Sequence, residues 1–279
     1  MAFMAFSNKA EITPQCASIK MSKSFIIKVR YGGLGDHLFW SHLPRIAKTY
    51  GGYKCVYISN QSEYRHNDYR KLIWEMNPYV DGFCDEDGPD PTFAGLPPDA
   101  NILDMLMIFM GLDDGKRFHE PEIFYKPKLR KELAEARIFD PNYLSNAGAV
   151  SNRTLLRYLK DSGGVDYQMR VRDRSFGVQR EIPILNTANV FEYCDIIASC
   201  RDFLCLTSGG ATLAAALGQP SMVFYGYGQN ADHRHSRLHQ YVDVSTSFTR
   251  TARSVVNFCY SVTPSVAIRL AQRVRQMRN

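Results

Sequence analysis

Two short stretches of this 279-residue chain carry side chains that could do chemistry. The first, Arg30-Tyr31-Gly32-Gly33-Leu34-Gly35-Asp36, follows the apolar run 25–29 and precedes a helical pattern. Its glycines permit close backbone approach, and Asp36 can accept the free N–H groups that open a helix. A carboxylate at such a mouth is either a helix cap or a catalytic base. His37, next to it, either orients it and shares its proton or is an ordinary first-turn residue. The second stretch, Thr207-Ser208-Gly209-Gly210-Ala211-Thr212, follows the apolar Phe203-Leu204-Cys205-Leu206 and opens a small-residue helix over 211–217. Bare N–H groups, hydroxyls and the helix dipole aimed at one spot suit a diphosphate. The plain alternative is a strand-to-helix turn that needs glycine for geometry alone.

Both stretches fail two common nucleotide signatures. Leu38 stands where a third glycine would complete the dinucleotide pattern after Gly33 and Gly35, and no acidic residue ends the second strand. A P-loop lysine is also missing. Softer candidates are Arg172 and Arg174 after a strand end, and His233, His235 and His239 in a loop expected to overhang the second turn. No metal site is expected, because those histidines lack carboxylate or cysteine company and Cys200 and Cys205 have no second pair.

The elements that must position these residues alternate between strand and helix. After the first turn, Phe39, Leu43, Ile46, Ala47 and Tyr50 recur at helical spacing, and Pro44 should kink or break that helix. Strands are expected at 55–58 and 80–84, a short helix at 68–76, a loop over 85–100, and a buried apolar segment at 102–110. A helix over 128–137 should bridge to a second unit. There the pattern predicts a strand within 143–150, a helix capped by Ser151, a strand at 167–171, a helix at 189–199, and strands at 203–206 and 222–225. The expected division is a disordered extension 1–20 ahead of a start at Met21, one Rossmann-like domain at 21–140, another at 141–262, and a C-terminal helix at 263–279. The fold class is α/β, two Rossmann-like domains facing a cleft.

Composition narrows the partners. A net charge of +6, from 34 basic and 28 acidic residues without a dense Lys/Arg block, suits anionic small molecules or peripheral contact with an anionic membrane surface, not nucleic acid. No apolar run is long enough for a transmembrane segment, so a cytoplasmic protein is expected. The seven scattered cysteines read as free thiols of a reducing compartment.

The block 30–36 with Leu43-Pro44, and the block 203–226, resemble in order and separation the two motifs of the heptosyltransferase-like glycosyltransferases, family 9 of the GT-B group. The resemblance implies an inverting, metal-independent transfer of a sugar from a nucleotide-sugar donor to a glycan or glycolipid hydroxyl, with no cofactor. It implies Asp36 as the base that deprotonates the acceptor, and Gly33, Leu34, Gly35 and His37 on the acceptor side. Thr207, Ser208, Gly209, Gly210, Ala211 and Thr212 would hold the donor diphosphate, helped by Ser151 and Arg153 after the first strand of the second domain. Two positions depart from the family: Thr207 and Thr212 stand where an aspartate and a histidine are usual, which speaks against heptose as the sugar. A catalytically silent nucleotide- or sugar-binding module and a nucleotide-sugar epimerase on the same fold are the alternatives.

Overall fold

A computed structural model describes residues 24–91, 97, 99–143, 147–172 and 174–251. The expected N-terminal extension, the start at Met21 and the C-terminal helix at 263–279 lie outside the described residues.

The first sheet has three parallel strands in the order β1 (Ser24–Ile27), β2 (Cys55–Ser59), β3 (Gly82–Cys84). Phe25 and Ile27 of β1 pair with Val56 and Ile58 of β2, and all four are buried. The helix after β1 comes in two pieces, α1 (Leu34–Trp40) and α2 (Leu43–Thr49). Pro44 sits in the first turn of α2, where its missing N–H costs nothing, so the expected break falls at Ser41-His42. After β2, α3 (Asn67–Arg70) widens into the turn Lys71–Glu75, which buries Leu72, Ile73 and Trp74. The apolar segment at 102–110 is the helix α4 (Ile102–Phe109), opened by a reciprocal pair: Asn101 Oδ1 accepts the Asp104 N–H at 2.9 Å and Asp104 Oδ2 accepts the Asn101 N–H at 3.3 Å.

The second sheet contains β4 (Arg137–Asp140), β5 (Tyr167–Met169), β6 (Ile184–Leu185), β7 (Asp202–Leu206), β8 (Ser221–Tyr225) and β9 (Gln240–Asp243). Its order is β6-β5-β4-β7-β8-β9, and every pairing is parallel. The chain therefore starts in the middle, winds outward one way, and returns to wind outward the other way. The reversal between β4 and β7 is the topological switch point where such sheets bind ligands. The helices α5 (Asn152–Asp161), α6 (Val190–Ser199) and α7 (Gly209–Ala216) connect these strands.

The sequence reading misplaced the entry to this sheet. Its first strand is Arg137–Asp140, not a strand within 143–150, and the expected helix over 128–137 is reduced to one tight turn at Lys131–Leu133. Tertiary bonds override the helical composition of that segment. Asp195 Oδ1, on α6, accepts from Tyr125 Oη and from the Lys128 N–H, both at 2.8 Å, and Ser199 Oγ accepts the Arg130 N–H at 2.7 Å. These bonds lay the segment along α6 as an extended strap. Strands β6 and β9 were not anticipated; each is short or polar enough to read as loop.

One hydrophobic core runs through both sheets, from Phe25, Ile27 and Ile58 to Tyr193, Cys205 and Val223 without interruption. A second, smaller cluster around Phe139, Leu155, Leu204 and Phe224 covers the opposite face of the second sheet. Among the described residues the five cysteines are free, with Cys194, Cys200 and Cys205 buried. No described helix is long and apolar enough to cross a membrane.

Candidate active site

The two glycine turns meet each other. A β-carbon on Gly209 would stand 2.9 Å from the Gly35 nitrogen and 3.2 Å from Leu34 Cβ, and one on Gly35 would stand 3.3 Å from Gly209 Cα. Only hydrogen at both positions lets the N-termini of α1 and α7 approach this closely. Their contact forms one wall of a cavity of about 390 Å³ at the C-terminal ends of β4 and β7. The cavity thus occupies the switch point of the second sheet and is closed by the first turn of the first sheet.

Asp36 occupies the third position of α1, and its Oδ2 accepts the Gly33 N–H at 3.1 Å. It is therefore a cap, as one of the two initial readings had it, and it also lines the cavity. Burial raises its pKa above the ordinary carboxylate value, while the Gly33 N–H and the nearby Arg65 guanidinium oppose that rise. A carboxylate shifted toward neutrality, held rigidly and open to a cavity, is suited to accept a proton from a bound hydroxyl.

At the opposite turn, Ser208 caps α7, its Oγ accepting the Gly210 N–H at 3.2 Å. Thr207, Gly209, Gly210, Ala211 and Thr212 all line the same cavity. Below Gly210 lies a buried carboxylate the sequence reading did not find. Asp140 ends β4, pairs in register with Cys205, and accepts from Tyr193 Oη on α6. Its Oδ1 accepts the Asn142 N–H at 3.0 Å and Asn142 Nδ2 at 2.6 Å. A β-carbon on Gly210 would collide with the Tyr193 hydroxyl, so this glycine too is required by close approach. Burial raises the Asp140 pKa, and the Tyr193 and Asn142 bonds and the Arg172 charge oppose it.

The remaining sequence candidates divide. Gly33, Leu34 and Gly35 line the cavity, as do Arg172, Arg174, His233 and His235. His37 does not line it. Its ring is fully buried, with Nδ1 accepting from Trp74 Nε1 at 3.0 Å and Nε2 donating to the Glu63 carbonyl at 2.8 Å. Burial lowers its pKa to about 4, so it is neutral, and neither nitrogen is left to share a proton with Asp36. Ser151 and Arg153 are also away from the cavity. Ser151 caps α5 through the Thr154 N–H at 3.3 Å, and Arg153 is exposed on the first turn of that helix. Because β4 ends at Asp140, the residues that follow the strand into the cavity are Asn142 and Tyr143. His239 lies behind the wall, its Nε2 donating to the Ala211 carbonyl at 2.9 Å.

Arg65, His66 and Tyr69, from the segment after β2, complete the lining with Phe39, Gln229, Asp140 and Tyr193. Of these, Asp140 alone left a trace in the sequence: an apolar pair, Ile138-Phe139, ended by an acid and Pro141. Among the described residues no group of three or more His, Cys, Asp or Glu side chains is arranged to hold a metal ion.

No protein-family model matches the chain, and no curated protein matches it in sequence. Its fold, by contrast, is shared with solved structures: two Rossmann-like units facing a cavity, the GT-B arrangement. The family 9 glycosyl transferase from Veillonella parvula DSM 2008 superposes with a TM-score of 0.54 at 9% identity, over 84% of this chain and 88% of that one. The iron-containing dodecameric glycosyltransferase TibC from enterotoxigenic E. coli H10407 gives a TM-score of 0.55 at 14% identity, over 78% of this chain and 62% of its own length. The E. coli ADP-heptose LPS heptosyltransferase II gives 0.50 at 15% identity, over 79% and 90%.

Proposed function

We propose that the protein is a glycosyltransferase that moves a sugar from a nucleotide-sugar to a hydroxyl of a glycan or glycolipid, with inversion, without a metal or other cofactor, and in the cytoplasm. The observation that carries this reading is the contact of the two glycine turns around one cavity. It sets a raised-pKa carboxylate, Asp36, against a helix start, Ser208 to Gly210, that is built for an anion.

In this reading the acceptor hydroxyl gives its proton to Asp36 as it attacks the anomeric carbon. The C–O bond to the diphosphate breaks on the opposite face, and the leaving charge falls on the N–H groups of α7. Arg172 and Arg174, which line the cavity from the segment after β5, add positive charge to it. The fold neighbours supply the donor class: TibC has been solved with ADP-D-β-D-heptose. Thr207, in place of an acid, argues for a sugar other than heptose.

A binding and hydrolysis screen across UDP-, GDP-, ADP- and dTDP-sugars tests the proposal. A donor that is consumed by the wild type, and bound but not consumed by Asp36→Asn, supports it. Unchanged turnover in Asp36→Asn removes the base assignment. Tight binding without turnover for any donor and acceptor identifies a silent module, consistent with the loss of the acid and histidine at Thr207 and Thr212. Conversion of the free nucleotide-sugar identifies an epimerase.

A further inference from the structure

The helix start that would receive the donor diphosphate already has a carboxylate of the protein beside it. A β-carbon on Gly210, the second residue of α7, would stand 3.2 Å from Asp140 Oδ2, 3.4 Å from Ser208 Oγ, and hard against the Tyr193 hydroxyl. Three side chains thus converge on the first turn of α7. Asp140, from the end of β4, lines the same cavity as that turn.

Each element packed around Asp140 brings a definite group to it. Asn142, just past the strand, donates its N–H and its Nδ2 to Oδ1, and Tyr193 Oη, on α6, donates to Oδ2. Strand β7 brings Cys205, whose thiol burial pushes well up in pKa, so it is neutral. The segment after β5 brings Arg172, whose positive charge acts on the carboxylate. The rest of the cavity contributes Asp36, Arg65, His66 and Arg174, with His233 and His235, whose pKa values burial lowers.

A diphosphate at the first turn of α7 brings further negative charge to the place where Asp140 stands. Like charges gathered in one partly buried site raise the pKa of the group that can accept a proton. The diphosphate of a nucleotide-sugar is esterified at both ends and stays ionised near neutrality, so the proton goes to the carboxylate. Burial already moves the Asp140 pKa upward. A protonated Asp140 loses no partner, because Oδ1 still accepts from Asn142 and an O–H at Oδ2 can donate to the Tyr193 oxygen.

We propose that Asp140 takes up a proton from solvent when the donor diphosphate binds at α7, so that pH regulates donor affinity through a carboxylate outside the transfer chemistry. The inference rests on the glycosyltransferase reading and adds the regulation of its donor site. The sign follows from linkage. The neutral acid is the form that binds best, so affinity is highest below the pKa of Asp140 in the free protein. It falls as pH rises from that value to the higher pKa of the complex, and is level above it.

The test is titration calorimetry on the full chain with UDP-, GDP-, ADP- and dTDP-glucose, from about pH 5 to pH 9. The reference protein is Asp36→Asn, which removes the other cavity carboxylate and keeps the donor from being consumed. For the conjugate that binds tightest, its affinity is expected to fall with rising pH by up to about tenfold per unit, the limit for one linked proton. Proton uptake on binding is read by repeating the titration in buffers of different ionisation heat. Adding Asp140→Asn should tighten binding at the alkaline end by at least about tenfold, the scale of one like charge removed from a partly buried site, and abolish that uptake. Equal affinity and equal uptake in the two proteins overturn the inference. Adding Tyr193→Phe instead removes a hydrogen bond that favours the ionised form, so the fall in affinity should move to higher pH, and a fall that stays in place also overturns it. Proton-linked binding by a wild type that never transfers the sugar removes the transferase reading and leaves the linkage standing. Failure of the reference protein to bind any of the four conjugates sinks both.

Discussion

Alanine at Gly209 is the sharpest probe of the contact between the two turns. Its β-carbon would lie 2.9 Å from a backbone nitrogen of α1, where ordinary contact begins near 3.4 Å, so the two helix starts must separate by about half an ångström. Neither can yield by rotating a side chain, because the contact is with backbone. Overpacking of this kind costs about 1–3 kcal/mol, partly offset by up to about 1 kcal/mol of alanine's helix preference. The net loss of stability is therefore about 1–2 kcal/mol, read as a lower urea midpoint at unchanged slope. A functional loss should accompany it, because Asp36 follows Gly35 directly and moves with it. A displacement of about 1 Å between base and donor site lowers turnover on the order of 10²-fold, so about half an ångström should lower it on the order of 10-fold. Gly35→Ala, with its nearest contact at 3.3 Å, should lose less on both counts. Gly164→Ala separates the two effects: its β-carbon meets nothing, but φ is +75°, so about 1–2 kcal/mol is lost to backbone strain far from the cavity. Turnover should stay at wild type there. If Gly209→Ala and Gly164→Ala, matched in stability, turn over a nucleotide-sugar at the same rate, the argument from helix contact is refuted.

Further outcomes follow from the electrostatics. Turnover should fall as pH drops through the raised Asp36 pKa, and Arg65→Gln, which removes the cation that opposes the rise, should move this acid limb to higher pH; an unmoved limb excludes Arg65 as its neighbour. Tyr193→Phe leaves the buried Asp140 short of a donor and should cost about 1–3 kcal/mol in urea unfolding, whereas a loss below 0.5 kcal/mol, of the order of a neutral surface change, would deny the pair a structural role. His119 donates from Nδ1 to Asp104 at 2.8 Å, a bond that raises its pKa, so it contributes stability that is fully present below about pH 6.5 and lost as pH rises through the folded value. The stability difference between wild type and His119→Gln should shrink over that rise, and a constant difference across pH 5 to 9 would contradict the assignment.

Much of the architecture was legible because each chemical turn follows a buried strand and opens a helix. Asp36, Ser208 and the glycines around them are local signals, and local signals survive translation into structure. What escaped was set by partners distant in sequence. The segment before Arg137 has helical composition, yet Asp195 and Ser199 bind its backbone in extended form, so β4 was missed and with it Asp140. The same slip moved the expected phosphate contacts to Ser151 and Arg153, beyond the cavity. His37 sits beside Asp36 in sequence but points into the core on a helix, where its partners are Trp74 and Glu63. Gln229 and Arg65 carry no motif at all; they reach the cavity because loops after β8 and β2 are aimed there by the sheets.

The uninterrupted core joining the two sheets has a consequence for how the protein can move. Hinged enzymes open along a thin seam with few apolar contacts across it. Here the seam is filled by side chains from both halves, and the two helix starts abut backbone to backbone. A swing wide enough to release a nucleotide would expose that core and cost a large part of the folding free energy. Under the proposed function, substrate and product pass the rim, where Arg65, His66 and Arg172 are exposed at the edge of a cavity whose base is closed by the two helix starts. In the proposed transferase, side chains and short loops at that rim, not a swing of one sheet against the other, would gate turnover.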